Sequence, residues 1–283
     1  MTKIGVLGAG TMGGGIAHTA ARAGFEVTMF DTKAGQVEQA LAAIRGRLSR
    51  QADQGRLSHD EVEATMGRLH PAPSLEAFGA VDVAIEAVLE LMEVKRAAFS
   101  ELDRTLPPGA MLATNTSSLS ITALAQATGR PERVVGLHFF NPAPVMQLIE
   151  VVRGEDTSDQ TVDDAMTLAR ELGKEPVLVQ KDTPGFVVNR ILMPLFIEAI
   201  RILEEGIASR EDIDKAVKLG LNHPMGPLTL ADLTGLDVDL NVMDYMFEEM
   251  KDQRFAAPLT LRRLVRAGRL GRKTGRGFYD YDA

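Results

Sequence analysis

The stretch Val6–Ala17, VLGAGTMGGGIA, constrains the fold of this 283-residue chain more than any other. It follows an apolar, β-rich run, Lys3–Leu7, and leads into a helical pattern over Ile16–Ala23. Gly8, Gly10 and Gly13 stand in the spacing G-x-G-x-x-G. In that spacing the first glycine permits a tight turn, the second lets backbone approach a pyrophosphate, and the third lets the helix pack close to the strand. The N-terminus of the following helix favours an anion. A second strand candidate, Glu26–Phe30, ends beside Asp31, 18 residues after Gly13. A carboxylate there would hydrogen-bond the adenosine ribose hydroxyls of a dinucleotide and repel a 2′-phosphate, which favours NAD over NADP. Gly8, Gly10, Thr11, Met12, Gly13 and Asp31 are therefore candidate NAD contacts. Glycines also cluster in structural turns, and a strand-end aspartate needs no ligand. The strand–turn–helix context is what points to the nucleotide.

Further along, Lys33–Gln54 reads as a long helix, Val81–Ala87 as a buried strand, and Ala110–Ala113 and Val134–His138 as further strands. Such alternation predicts a mainly parallel sheet with helices on both faces. The texture changes past Lys181. Asp182–Phe186 (DTPGF) carries the Pro and Gly of a turn or linker. Phe186–Gly206 then shows apolar residues at helical spacing, and Ser209 stands in the N-cap position of SREDIDKAVKLG. The expected fold is α/β. An N-terminal Rossmann-type domain spans residues 1–183, and an all-helical C-terminal domain spans 184–283.

Composition removes several function classes. A net charge of −8 argues against a general nucleic-acid binder. The absence of cysteine removes disulfides, thiolate nucleophiles and cysteine-ligated zinc, and suits a reducing cytoplasm. No run of about 18 apolar residues suggests a membrane span, and the glycine-broken N-terminus does not read as a signal peptide.

A nucleotide fold does not name a reaction, so the proton-transfer group needs its own argument. Tyr245 is followed four residues later by Glu249, so no Tyr-x-x-x-Lys pair is present. Histidine or lysine remains as the base for a hydroxyl proton. Of five histidines, His18 lies in the first helix, His59 and His70 flank a polar helical segment, and His223 sits in a turn. His138, in GLHFFNPAPVMQLIE (Gly136–Glu150), falls near the C-terminal end of a predicted strand, the side where open α/β sheets bind ligands. Glu150 follows 12 residues later, and adjacent strands could bring its carboxylate to the imidazole. A carboxylate so placed fixes the tautomer and stabilises an imidazolium. On position alone, a histidine in an aromatic run is also a core residue, and Glu150 also a strand-end charge.

Taken in order, the motifs resemble the L-3-hydroxyacyl-CoA dehydrogenase family, in its short bacterial 3-hydroxybutyryl-CoA type. They are the glycine turn, Glu86–Glu90 (EAVLE), Asn115–Thr122 (NTSSLSIT), Gly136–Val152, Lys181–Arg190 (KDTPGFVVNR), His223–Leu228 (HPMGPL) and the C-terminal GRKTGRGFYDY. The resemblance covers nearly the whole chain. It implies an NAD-dependent, metal-free oxidation of (S)-3-hydroxyacyl-CoA to 3-oxoacyl-CoA in fatty-acid or butanoate metabolism. His138 would be the general base, Glu150 its partner, Ser117 a contact of substrate and nicotinamide, and Asn189 a substrate hydrogen bond. Glu90, Lys95, Asn141 and Lys273 would touch NAD. The helical domain would bind substrate and form a homodimer. Arg45, Arg47, Arg50 and Arg56 stand against a single Asp53 and suit the phosphates of CoA, although a charged outer helix face explains them equally. Bland readings also stay open for Ser117 (a helix N-cap), Asn189 (interhelical structure), Asn141 (a turn), Glu90 and Lys95 (a solvated helix face) and Lys273 (an exposed tail). Two rival functions remain. One is a related hydroxyacid or polyol dehydrogenase that does not use CoA; the other is a non-catalytic dinucleotide-binding relative.

Overall fold

A computed structural model describes residues 2–281, so Met1, Asp282 and Ala283, the outermost residues of the two expected domains, lie outside the described residues. The chain divides into two compact units, Met1–Asp182 and Thr183–Ala283.

The first unit is built on eight strands: β1 (Lys3–Leu7), β2 (Glu26–Phe30), β3 (Leu69–Pro71), β4 (Val83–Glu86), β5 (Met111–Thr114), β6 (Val134–Phe139), β7 (Leu148–Val152) and β8 (Glu175–Val179). Their order across the sheet is β3-β2-β1-β4-β5-β6-β7-β8. Every pair is parallel except β6 with β7. The chain leaves β1 toward β2 and β3 and then returns to β4 on the other side of β1. The strand order therefore reverses between β1 and β4, and the crevice where such sheets bind ligands opens at their C-terminal ends, Leu7 and Glu86.

Burial on both faces explains why the strands read as continuous apolar runs. Ile4, Val6, Val27, Met29, Val83, Ile85, Leu137 and Phe139 point to one face and share a core with α1 (Thr11–Arg22), α2 (Gln36–Asp53) and α6 (Asp159–Glu171). The alternate residues Leu7, Ala84, Leu112 and Val134 are equally buried. On their face α4 (Met92–Thr105) packs on β4 and β5, and α5 (Ile121–Ala125) on β6.

Two short strands were not expected. β3 has three residues, and β8 is an edge strand with alternating exposure, so neither carries a strong apolar signal. Helix α3 (His59–Gly67) starts from a capping box in which Ser58 accepts from the Glu61 N–H and the Glu61 carboxylate accepts from the Ser58 N–H.

The second unit consists of α7 (Val188–Glu204), α8 (Arg210–Gly220), α9 (Pro227–Thr234), α10 (Leu236–Met250) and α11 (Leu259–Arg266), with short 3₁₀ turns between and after them. Met193, Phe196, Ile197 and Ile200 of α7 meet Leu228, Ala231, Leu236, Met243 and Met246 in its core. The only β-type pairings among its described residues are isolated bridges in the C-terminal loop, at Gly271 with Arg276 and Arg276 with Asp280.

Candidate active site

The glycine turn joins β1 to α1, with Gly10 at the N-cap and no acidic residue in the first helical turn. Helix packing requires glycine at position 13, because a Cβ there would lie 1.8 Å from the Gly8 carbonyl oxygen. Gly10 differs. A Cβ there would meet no protein atom within 4 Å, so the fold leaves open the side on which a ligand can approach the backbone. At the end of β2, Asp31 accepts from the Ala9 N–H at 2.7 Å and from the Lys33 N–H at 2.8 Å. The carboxylate is thus drawn across the turn, and each oxygen keeps a second acceptor direction.

His138 and Glu150 face each other directly across the antiparallel pair β6–β7. Leu137 and Phe139, like Ile149 and Val151, belong to the core under α1 and α6, so His138 and Glu150 project together from the other face. Nδ1 of His138 lies 2.7 Å from Oε2 of Glu150, and the two side chains are 6% and 1% exposed. Phe140 stacks tilted against the imidazole, with ring centroids 4.5 Å apart. The 11 intervening residues contain a loop that carries Asn141, which is exposed. Lys174 holds that loop by donating to the Ala143 and Met146 carbonyls at 2.7 and 2.8 Å.

Next to β6, the end of β5 leads into Asn115–Ser118. Asn115 Oδ1 accepts from the Phe139 N–H at 2.9 Å, which ties this turn to the strand end beyond His138. Ser117 is half-buried and does not cap α5. Ser120 does, accepting from the Ala123 N–H. Nor do Glu90 and Lys95 form a solvated face. Lys95 is 1% exposed and reaches back from α4 to Glu86 at 2.7 Å and Glu90 at 3.2 Å, while Glu90 precedes the helix and accepts from the Ser117 N–H at 2.8 Å.

Of the candidates, Gly8, Gly10, Asp31, Glu90, Ser117 and His138 therefore sit at strand ends of the first unit or in the turns that leave them, Thr11, Met12 and Gly13 at the start of α1, Lys95 near the start of α4 and Glu150 in the middle of β7. Asn189 and Lys273 belong to the second unit. Asn189 is half-buried in the first turn of α7, and Lys273 pairs with Asp237 at 2.5 Å. The sequence reading did not single out Glu86, Thr114 or Thr116 as site residues. Only the EAVLE and NTSS motifs around them could have drawn attention to them.

Comparison with known proteins decides the family. The family model for the NAD binding domain of 3-hydroxyacyl-CoA dehydrogenase matches residues 3–183, and that for its C-terminal domain matches residues 185–281. The chain belongs to the 3-hydroxyacyl-CoA dehydrogenase family. A probable 3-hydroxybutyryl-CoA dehydrogenase of Bacillus subtilis is 48% identical over 280 residues, covering 99% of this chain and 97% of the relative. The 3-hydroxybutyryl-CoA dehydrogenase of Bradyrhizobium diazoefficiens is 47% identical over 279 residues, or 99% and 95% of the two chains. The crystal structure of (S)-3-hydroxybutyryl-CoA dehydrogenase from Ralstonia eutropha superposes with a TM-score of 0.96 at 43% identity and full coverage of both chains.

As a member of this family the chain is an NAD-dependent oxidoreductase. Its residues fit the cofactor. The uncovered Gly10 face and the helix N-terminus free of acidic side chains suit a pyrophosphate, and the remaining acceptor directions of Asp31 suit ribose hydroxyls. No helix among the described residues is long and apolar enough to cross a membrane.

Proposed function

We propose that the chain catalyses the reversible oxidation of (S)-3-hydroxyacyl-CoA, 3-hydroxybutyryl-CoA in particular, to 3-oxoacyl-CoA, with His138 as the general base. The observation that carries this reading is the buried His138–Glu150 pair at 2.7 Å. With Nδ1–H donating to the carboxylate, the imidazole lone pair sits on Nε2, which takes the proton of the substrate hydroxyl. NAD, when bound, would supply the acceptor for the hydride that leaves C3. Glu150 holds the ring in that tautomer and stabilises the imidazolium that results. In reduction the same imidazolium returns the proton.

Ser117 is assigned a contact to substrate and nicotinamide, supported by its place beyond β5 on the ligand side of the sheet. Asn189 is assigned a substrate hydrogen bond, and Glu90, Lys95, Asn141 and Lys273 contacts to NAD. These assignments rest on the match of motifs to the family. Of the four arginines considered for CoA, Arg45 is already paired with Glu63 at 2.5 Å, whereas Arg50 and Arg56 are exposed and suit phosphate. The second unit is assigned substrate binding and dimerisation. Its large exposed apolar side chains, Ile191, Leu219, Leu221 and Leu259, support a homodimer. A cysteine-free chain suits the reducing cytoplasm, which is the proposed setting.

The test is steady-state turnover of acetoacetyl-CoA with NADH. For His138→Ala we expect a loss of roughly 10²–10⁴-fold in kcat, the range for a removed acid–base group. Turnover near that of the wild type would remove His138 as the base. Activity on a free 3-oxo acid without CoA would favour the hydroxyacid reading, and a preference for NADPH would overturn the role of Asp31.

A further inference from the structure

Glu86 ends β4, and its side chain is wholly buried. A carboxylate there is costly unless its charge is met and its oxygens are bonded. Oε1 accepts from Lys95 Nζ and from the Val88 N–H, both at 2.7 Å, and Oε2 accepts from Thr114 Oγ1 at 2.7 Å. The same Lys95 ammonium reaches Glu90 Oε2 at 3.2 Å. Glu90 Oε1 accepts from Thr116 Oγ1 at 2.5 Å and from the Ser117 N–H at 2.8 Å. The Thr116 N–H donates to Thr114 Oγ1 at 3.2 Å and closes a ring. It runs from Glu86 through Lys95, Glu90, Thr116 and Thr114 back to Glu86, and the Ser117 backbone hangs from it.

Within the ring Lys95 is shared by two carboxylates, one inside the protein and one at its surface. Glu86 has no exposure, whereas the Glu90 side chain is 40% exposed. The inner carboxylate therefore keeps the ammonium at 1% exposure, and the outer one follows the ammonium. We propose that Glu86 is a positioning residue that holds Lys95 inward and thereby fixes Glu90 and the Thr114–Ser117 turn at the cofactor end of the site. The inference rests on the reading that Glu90, Lys95 and Ser117 contact NAD. The placement of those three residues then depends on a buried carboxylate that itself touches no substrate or cofactor.

Glu86→Gln tests this with little change of shape. Glutamine still accepts through its carbonyl but no longer offers Lys95 a charge. Three quantities are read: the dissociation constant of NADH from its own fluorescence, KM against kcat with acetoacetyl-CoA, and the urea midpoint. We expect Kd and KM for NADH to rise about tenfold, as for one lost charge-assisted hydrogen bond, with a smaller change in kcat. Lys95→Met should weaken NADH binding similarly. The double variant should bind no worse than Lys95→Met alone, because the two residues act through one another. A lower urea midpoint with NADH binding within twofold of the wild type would reduce Glu86 to a structural residue and overturn the proposal. If Lys95→Met also leaves binding unchanged, the cofactor reading of the ring fails and takes the proposal with it. Should Glu86→Gln not fold, Thr114→Val removes the two ring hydrogen bonds of the Thr114 hydroxyl, to Glu86 and from the Thr116 N–H, and no charge. A clear rise in Kd then supports the proposal, and an unchanged Kd overturns it.

Discussion

Both units bury carboxylates, but they surround them differently. In the first unit Glu86 and Glu150 each face a basic group, Lys95 and His138, at 2.7 Å. In the second, Asp214 and Asp232 are held by neutral donors. Asp214 accepts from the Leu228 and Thr229 N–H groups and from the hydroxyls of Thr229 and Tyr279. Asp232 accepts from the Phe278 and Tyr279 N–H groups and the Tyr281 hydroxyl. A buried acid–base pair can pass a proton or respond to a charge brought near it. A carboxylate ringed by N–H groups can only hold chain segments together. Asp232 does this for the loop after Gly271, and burial pushes its carboxyl above the usual range.

Replacing the acid of each kind should separate the two. Glu150→Gln keeps the shape of the side chain but no longer stabilises an imidazolium at His138. We expect kcat for acetoacetyl-CoA to fall by about 10²–10³-fold while the urea midpoint moves little. Asp232→Ala should do the reverse. It strands the buried N–H groups of Phe278 and Tyr279, at a cost of about 3 kcal/mol, read as a lower urea midpoint of the second unit. If Glu150→Gln instead unfolded the protein while turnover per folded molecule held, the division between the two kinds of carboxylate would collapse.

The same division marks what could be read from the sequence. Most of the sheet was legible because all its strands but β3 and β8 are short apolar runs, and β1, β2 and β6 begin and end within a residue of expectation. The approach of His138 to Glu150 was legible because a 12-residue spacing across a turn is a local relation. The ring around Glu86 was not. It joins residues up to 28 positions apart through side chains that, taken singly, look like a strand end, a helix face and a turn. Lys95 shows the reason most clearly. Nothing in its helical spacing says that its ammonium turns inward, because the partner that draws it in lies on another element. The neutral clamps were missed for the same cause, since Asp232 meets residues 46 to 49 positions away.

Asp239 carries the contrast into pH dependence. It is 3% exposed, its carboxyl oxygens lie 2.8 and 2.9 Å from Thr234 Oγ1, and among the described residues no cation pairs with it. Burial, with the charge of Asp237 adding to it, pushes its carboxyl up to about 8 against the opposing hydrogen bond from Thr234. The folded protein therefore keeps a proton that the unfolded chain releases above about pH 4. Stability from this group falls as pH rises from about 4 to about 8. Asp239→Asn should remove that slope, so its urea midpoint should gain on the wild type at pH 8 relative to pH 5. An equal difference at both values would show that Asp239 is ionised in the fold.

His18 is the converse case, a buried base in the first unit with no acid bonded to it among the described residues. It is 1% exposed, and neither ring nitrogen has a hydrogen-bond partner among the described residues. Burial first, and then the nearby charges of Arg47, Arg22 and Lys174, lower its pKa to about 4. The folded ring is thus neutral where the unfolded chain takes up a proton. Nothing is therefore lost above about pH 6.5, stability falls as pH drops from there to about 4, and the loss levels off below. His18→Gln removes the titration and keeps a polar side chain of similar reach. Its urea midpoint should fall less than that of the wild type between pH 6.5 and 4.5, and the two should run in parallel above pH 7. Turnover at pH 7 should stay close to wild type, because this ring takes no part in the chemistry assigned to His138. Parallel midpoints across the whole range would mean that His18 finds a partner or solvent when protonated, and that burial without an acid is not what keeps this base neutral.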